Sequence, residues 1–114
     1  MSREINDFVK GYIVCALWTE SLEDNGRTID DINNGSLLKI IEDCNNFQKQ
    51  AKNALTASGM DDEHAGHNFW LTRNHHGTGF WDRDLGKIGD ELTAIAHKFG
   101  ECDIYVGDDD QIYI

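Results

Sequence analysis

The chain has 114 residues, with 21 acidic against 10 basic side chains and a formal net charge of −11 at pH 7. Such a surplus of carboxylates opposes direct binding to a nucleic-acid backbone, which favours lysine and arginine, and opposes docking on an anionic membrane surface. No apolar run is long enough for a membrane span, and the charged start MSREINDFVK lacks the apolar core of a signal peptide, so we expect one cytoplasmic domain over 1–114.

The first half of the chain, about residues 5–56, is predicted to be helical. Apolar residues recur at three- and four-residue spacing up to Trp18 or Thr19, which predicts a helix over 5–19. Residues 20–35 are polar and rich in Asn, Asp and Gly, which predicts a loop with a helical turn at IDDI.

A second apolar stripe predicts one long helix over 36–56. Ser36 stands directly before it and is a favourable N-cap residue. The polar segment 57–66, ASGMDDEHAG, then predicts a linker.

The second half, about residues 67–114, is predicted to form a hairpin, a helix and another hairpin. FWLTR and GFW are β-prone runs on either side of the loop NHHGT, which predicts the first hairpin. Residues 82–99 return to helical spacing, with Asp82 or Asp84 as the N-cap. The tail CDIYVGDDDQIYI alternates apolar and polar residues around GDDD, which predicts the second hairpin.

This order of elements predicts the fold class. Hairpins that are separated from helices along the chain are typical of α+β domains. The sequence therefore predicts a small antiparallel β-sheet of two hairpins, packed against about three helices.

The candidate metal ligands do not form a recognised motif. Four histidines crowd into one region: His64, His67, His75 and His76. There is neither a Cys-x-x-Cys pair nor a His-Glu-x-x-His helix. The three cysteines, Cys15, Cys44 and Cys102, are widely spaced, which favours buried thiols over disulfides. We expect no metal and no cofactor.

The stretch HNFWLTRNHHGTGFWDRDLG, residues 67–86, concentrates tryptophan, histidine and arginine. In a hairpin, each strand would turn one aromatic residue to the core and the other outward. An outward tryptophan surrounded by arginine and histidine is typical of a binding hot spot. The predicted contact residues are Trp70, Arg73, His75, His76, Trp81 and Arg83.

The same stretch supports an alternative function. Arg73, His75, His76 and Asp82 would lie close together in a hairpin. A histidine oriented by a carboxylate is a common general base, and arginine binds anions through paired hydrogen bonds. The alternative is thus a small enzyme or binding protein for an anionic metabolite or nucleotide.

Three segments carry a resemblance to a known family: YIVCALW, HNFWLTRNHHGTGFWDRDLG and FGECDIYVGDDDQIY. In this order they resemble a family of small proteins encoded by bacteriophages and other mobile elements, for which no activity is established. The family pattern has an acid where Asn68 stands and glycine where Asp110 stands. The resemblance implies a phage or mobile-element origin and action inside a bacterial cell.

Two functions therefore stay open at the level of sequence. The first is an accessory protein that binds a host or phage protein; inhibition of a defence protein or of a protein that handles nucleic acid is one such role. A net charge of −11 suits a basic groove that otherwise holds nucleic acid. The second is the small enzyme or anion-binding protein, for which the sequence identifies no nucleophile.

Overall fold

The computed structural model describes residues 5–19, 26–75, 79–80 and 86–114. Within them lie five α-helices and two short strands. In chain order these are α1 (Asp7–Thr19), a 3₁₀ helix (Ile29–Asp31), α2 (Asn34–Gln50), α3 (Lys52–Ser58), α4 (Asp62–Arg73), α5 (Lys87–His97), β1 (Tyr105–Val106) and β2 (Ile112–Tyr113).

The centre of the fold is the contact between α1 and α4, where two glycines let the helix backbones touch. A Cβ atom on Gly11 of α1 would collide with the backbone carbonyl of Glu63. A Cβ atom on Gly66 of α4 would collide with the backbone carbonyl of Phe8. Because only glycine lacks a Cβ, this reciprocal pair sets how closely the two helices approach.

Aromatic side chains fill the core around this contact. Phe47 of α2 stacks on Phe69 of α4, with ring centroids 4.2 Å apart and planes 14° apart. Phe80 also stacks on the Phe47 ring, with centroids 5.6 Å apart. The Phe8 ring of α1 lies 5.8 Å from the Phe47 ring. Phe47 therefore joins α2 to α1 and α4.

The predicted first hairpin is wrong, because the FWLTR segment belongs to α4. Asp61 caps this helix by accepting a hydrogen bond from the backbone N–H of His64 at 2.8 Å. Asp62 and Glu63 follow in the first turn, where carboxylates interact favourably with the helix dipole. Every residue from Asn68 to Arg73 is buried, so the helix has no polar face there and its sequence looks like a buried strand.

The other helix boundaries also differ from the prediction. The helix predicted over 36–56 is two helices, because the backbone at Ala51 leaves the helical region at φ −100°, ψ 11°. Asn33, not Ser36, caps α2, and its side chain accepts from the backbone N–H of Ser36 at 3.2 Å. Most of the predicted linker 57–66 is helical as well.

Helix α5 begins later than predicted. It starts at Lys87, after Gly86 at φ 61°, and has no side-chain cap. The proposed caps Asp82 and Asp84 lie outside the described residues.

The C-terminal hairpin and the turn at IDDI are confirmed. β1 and β2 pair antiparallel, with Tyr105 opposite Tyr113 and Val106 opposite Ile112. Residue Asp110 in the turn has φ 67°, the left-handed region that favours glycine and is tolerated by aspartate.

The hairpin is fastened to the start of α2. Ile32 forms a parallel bridge with Ile112, and the backbone N–H of Asn33 donates to the carbonyl of Ile112 at 2.8 Å. The hydroxyl of Ser36 accepts from the backbone N–H of Ile114 at 3.2 Å. The described chain is thus a helical domain with one small hairpin, and the predicted α+β class with two hairpins is wrong.

Candidate functional site

Trp70, a predicted contact residue, lies inside the core. Its side chain is 1% exposed, and its ring meets the Tyr12 ring edge-on at 5.4 Å. Its indole N–H donates to the Thr19 hydroxyl at 2.9 Å, which satisfies its one polar atom. In this conformation Trp70 links α4 to α1 and offers no surface to a partner.

Arg73 is also buried, with 3% of its surface exposed. One of its terminal nitrogens, Nη1, donates to the Tyr12 hydroxyl at 3.1 Å and to Asp43 Oδ2 at 3.0 Å. Its Nε donates to the Gly100 carbonyl at 2.9 Å, and Nη2 donates to the Phe99 carbonyl at 3.0 Å. Since a guanidinium has five N–H donors, internal contacts use most of its capacity to bind an anion.

The groups around Arg73 are kept neutral by burial. Burial raises the pKa of the Tyr12 phenol well above its usual value, and Arg73 offsets part of that rise. Burial likewise raises the pKa of the Cys44 and Cys102 thiols. A protonated thiol is a poor nucleophile, so the cluster is suited to structural support.

The Arg73 guanidinium itself stays charged. Burial would lower its pKa, but Tyr12 and the hydrogen bond to Asp43 act in the opposite direction, and the pKa is raised. The resulting ion pair joins α4 to α2 across the core. The described geometry gives no support to Arg73 as an anion-binding residue at the surface.

His75, the next predicted contact residue, is exposed. Its backbone has φ 57°, its Nε2 lies 3.8 Å from Glu101 Oε1, and its ring lies 4.4 Å from that of His97. The remaining predicted residues lie outside the described part of the chain: His76, Trp81, Asp82 and Arg83. The structure therefore does not bring Trp70, Arg73 and His75 to one surface.

An apolar surface that the sequence analysis missed lies on α1. Trp18 is 59% exposed and Val14 is 46% exposed, one helical turn apart. The opposite side of α1 is buried, with Phe8, Tyr12 and Ala16 in the core. The signal in the sequence was the number of apolar residues in α1, which exceeds what one buried stripe can hold.

Depressions lie on both sides of this helix. On one side, a cavity of about 590 Å³ lies between α1 and residues 26–29. On the other, a depression of about 250 Å³ is bordered by Gly11, Val14, Glu63, His64 and His67. Val14 lines both depressions, so it stands on the ridge between them.

A third depression, of about 300 Å³, lies beside Trp18 and is bordered also by Val14, Cys15 and His67. The Trp18 ring meets the His67 ring edge-on at 6.3 Å. We call Val14, Trp18 and the two depressions on the His67 side the α1 face. It combines an exposed tryptophan with concave surface on a helix that the core holds in place.

Neither a metal-binding group of side chains nor a membrane-spanning helix is found in the described ranges. Among these residues, no group of three or more His, Cys, Asp or Glu side chains could hold a metal ion. In the same ranges, no helix is both long and apolar enough to cross a membrane.

Comparisons with protein-family models, curated proteins and solved structures gave no match for this chain.

Proposed function

We propose that the protein acts by binding a protein partner through the α1 face. The observation that carries the proposal is the exposure of Trp18 and Val14 on a helix whose other side is locked into the core. Tryptophan is enriched among the residues that dominate binding energy at interfaces. A rigid apolar ridge with flanking depressions offers a partner both an anchor and a surface to pack against.

The charge near this face indicates what kind of partner fits. Asp61, Asp62 and Glu63 form the exposed start of α4, and Glu63 borders the depression next to Val14. The whole chain carries a net charge of −11. Because opposite charges speed association and fix orientation, we propose a basic partner surface, such as one that otherwise binds nucleic acid.

The proposed setting follows from the resemblance to phage and mobile-element proteins. In that setting the chain acts in the cytoplasm of a bacterial host, and a defence protein or a protein that handles nucleic acid is a suitable target. His75 stays a sequence-based prediction for a second contact.

The test compares exposed apolar residues on and off the α1 face. Tagged wild-type protein and the variants Trp18→Ala and Tyr105→Ala are used to capture partners from bacterial lysate. Tyr105 is the matched control, since it is 57% exposed but lies on the hairpin. We expect one basic protein that the wild type and Tyr105→Ala retain and Trp18→Ala loses.

Binding is then measured with the purified partner. Loss of a tryptophan anchor costs about 2 kcal/mol or more, which weakens affinity by roughly 30-fold. A nucleic acid that the partner binds should compete with the protein. Equal affinity for wild type and Trp18→Ala, with both variants folded, would exclude the α1 face as the contact.

A further inference from the structure

We propose that the cavity between α1 and residues 26–29 binds an amphipathic monoanion, namely a carboxylate with an aliphatic or aromatic tail. This site lies on the other side of Val14 from the α1 face. The inference concerns a small ligand and does not depend on the proposed protein partner.

The size and lining of the cavity fit a small ligand. Its volume is about 590 Å³, and ligand sites commonly measure roughly 300–1,000 Å³. Five of the described residues that line it are apolar and come from the segment before α1, from α1 itself and from the start of the 3₁₀ helix: Ile5, Ile13, Val14, Leu17 and Ile29. Such a wall suits a hydrocarbon or ring, because burying apolar surface is favourable.

The charge of the described lining contrasts with that of the chain. Acids outnumber bases by 21 to 10 in the sequence, whereas the described residues that line the cavity include Lys10 and Arg27 and no acid. Lys10 is exposed on α1, and no ion pair within the described ranges involves it. The described part of the rim therefore carries positive charge, which favours an anion, although the net charge of the chain is negative.

Arg27 is held in place by the hairpin. Its Nη2 lies 2.7 Å from Asp110 Oδ1, and its Nη1 donates to the Asp110 carbonyl at 3.2 Å. Asp110 offsets the charge of Arg27, so Lys10 supplies the uncompensated positive charge. Thr28, whose hydroxyl already accepts from the backbone N–H of Asp30 at 3.3 Å, still has its own hydrogen to donate.

These features select one chemical class. Among the described lining residues, one uncompensated cation suits one negative charge, and the mainly apolar remainder has few partners for the oxygens of a phosphate ester or a nucleotide. A carboxylate next to Lys10, with its apolar tail between Ile13 and Ile29, uses both parts of the cavity.

The test uses octanoate, with octanol and octylamine as probes of the same tail but neutral and positive head groups. Binding to the full chain is measured by isothermal titration calorimetry. We expect saturable binding of one octanoate per chain, weaker binding of octanol and the weakest binding of octylamine. Lys10→Gln should weaken octanoate binding about tenfold, because a charge-assisted contact is lost, while octanol binding stays unchanged.

Two further variants locate the site. Lys52→Gln removes an exposed lysine from α3 and should leave octanoate affinity unchanged. Val14→Glu places a negative charge on the exposed part of the lining and should reduce octanoate binding more than octanol binding. Thermal unfolding of each variant verifies that it is folded.

The two proposals can fail separately. Trp18 does not line this cavity, so Trp18→Ala should lose the protein partner and retain octanoate. No saturable octanoate binding, equal binding of octanoate and octylamine, or an unchanged octanoate affinity in folded Lys10→Gln would overturn the ligand site and leave the partner proposal standing.

Discussion

Helices α1 and α4 pack against each other, yet they use their aromatic residues in opposite ways. α4 buries its phenylalanine, tryptophan and arginine, although their composition is typical of a binding surface. α1 buries most of its apolar residues and still exposes Trp18 and Val14. A segment rich in tryptophan and arginine can therefore form a buried core as readily as a binding interface.

The two tryptophans give the most direct test of this comparison. Trp70→Ala should lower the free energy of unfolding by about 3–5 kcal/mol, since it removes a large buried side chain. Trp18→Ala should change it by less than about 0.5 kcal/mol, because the side chain is mostly exposed. Urea unfolding followed by circular dichroism measures both. Similar losses for the two variants would contradict the assignment of one to the core and the other to the surface.

Arg73 gives a second test of whether the polar and aromatic residues of α4 stabilise the core. Arg73→Ala leaves the carboxylate of Asp43 and the hydroxyl of Tyr12 without their buried partner, and should cost about 3–5 kcal/mol of unfolding free energy. The control is Arg27→Ala, whose partner Asp110 has an 81% exposed side chain, and which should cost about 1 kcal/mol or less. If both arginine variants lost the same stability by chemical denaturation, Arg73 would not hold the core together.

The contact between α1 and α4 can be altered without changing an aromatic residue. Gly66→Ala should cost about 3 kcal/mol, because its Cβ meets backbone of α1 that no side-chain rotation can clear. Gly35→Ala is the matched change in α2, where the nearest neighbour is the Asn33 side-chain oxygen at 3.2 Å. We expect Gly35→Ala to stay within about 1 kcal/mol of the wild type in the same unfolding experiment.

Alkaline pH should lower the free energy of unfolding through the buried thiol of Cys15 in α1. Burial raises the pKa of Cys15 from 9.0 to about 12, so the folded state holds this proton after the unfolded state has released it. Its contribution to stability is present below pH 9.0 and is lost as pH rises from there towards 12, by roughly 1.4 kcal/mol per pH unit. Unfolding measured at several pH values should show a shallower decline in Cys15→Ala, and parallel declines would refute the assignment.

Much of the helical part and the last hairpin could be predicted from sequence because their patterns are local. Helix α1 repeats apolar residues at helical spacing, and the alternation around GDDD predicts the hairpin. Helix α4 could not be recognised in this way, because it is buried on several sides and its spacing shows no polar face. Its N-terminal signal was nevertheless present in Asp61, Asp62 and Glu63, an acidic start that is typical of a helix.

The candidate site was harder to predict than the fold. Nothing in the local sequence distinguishes the buried Trp70 from the exposed Trp18, because their difference depends on which elements pack over them. The break at Ala51 has a similar origin, since neither proline nor glycine stands there to end the helix. Tertiary packing decided these features, and spacing along the chain contains little information about it.

The fastening of the hairpin to the start of α2 has a kinetic consequence. The bond from Ile114 to Ser36 spans 78 positions, and the pair between Arg27 and Asp110 spans 83. Closing such long loops has an entropic cost before any contact forms, and distant pairings slow folding. Helices α1 to α4 can thus begin to associate during synthesis. Residues 27–36, in contrast, acquire their contacts with the hairpin only after residues 110–114 have been made.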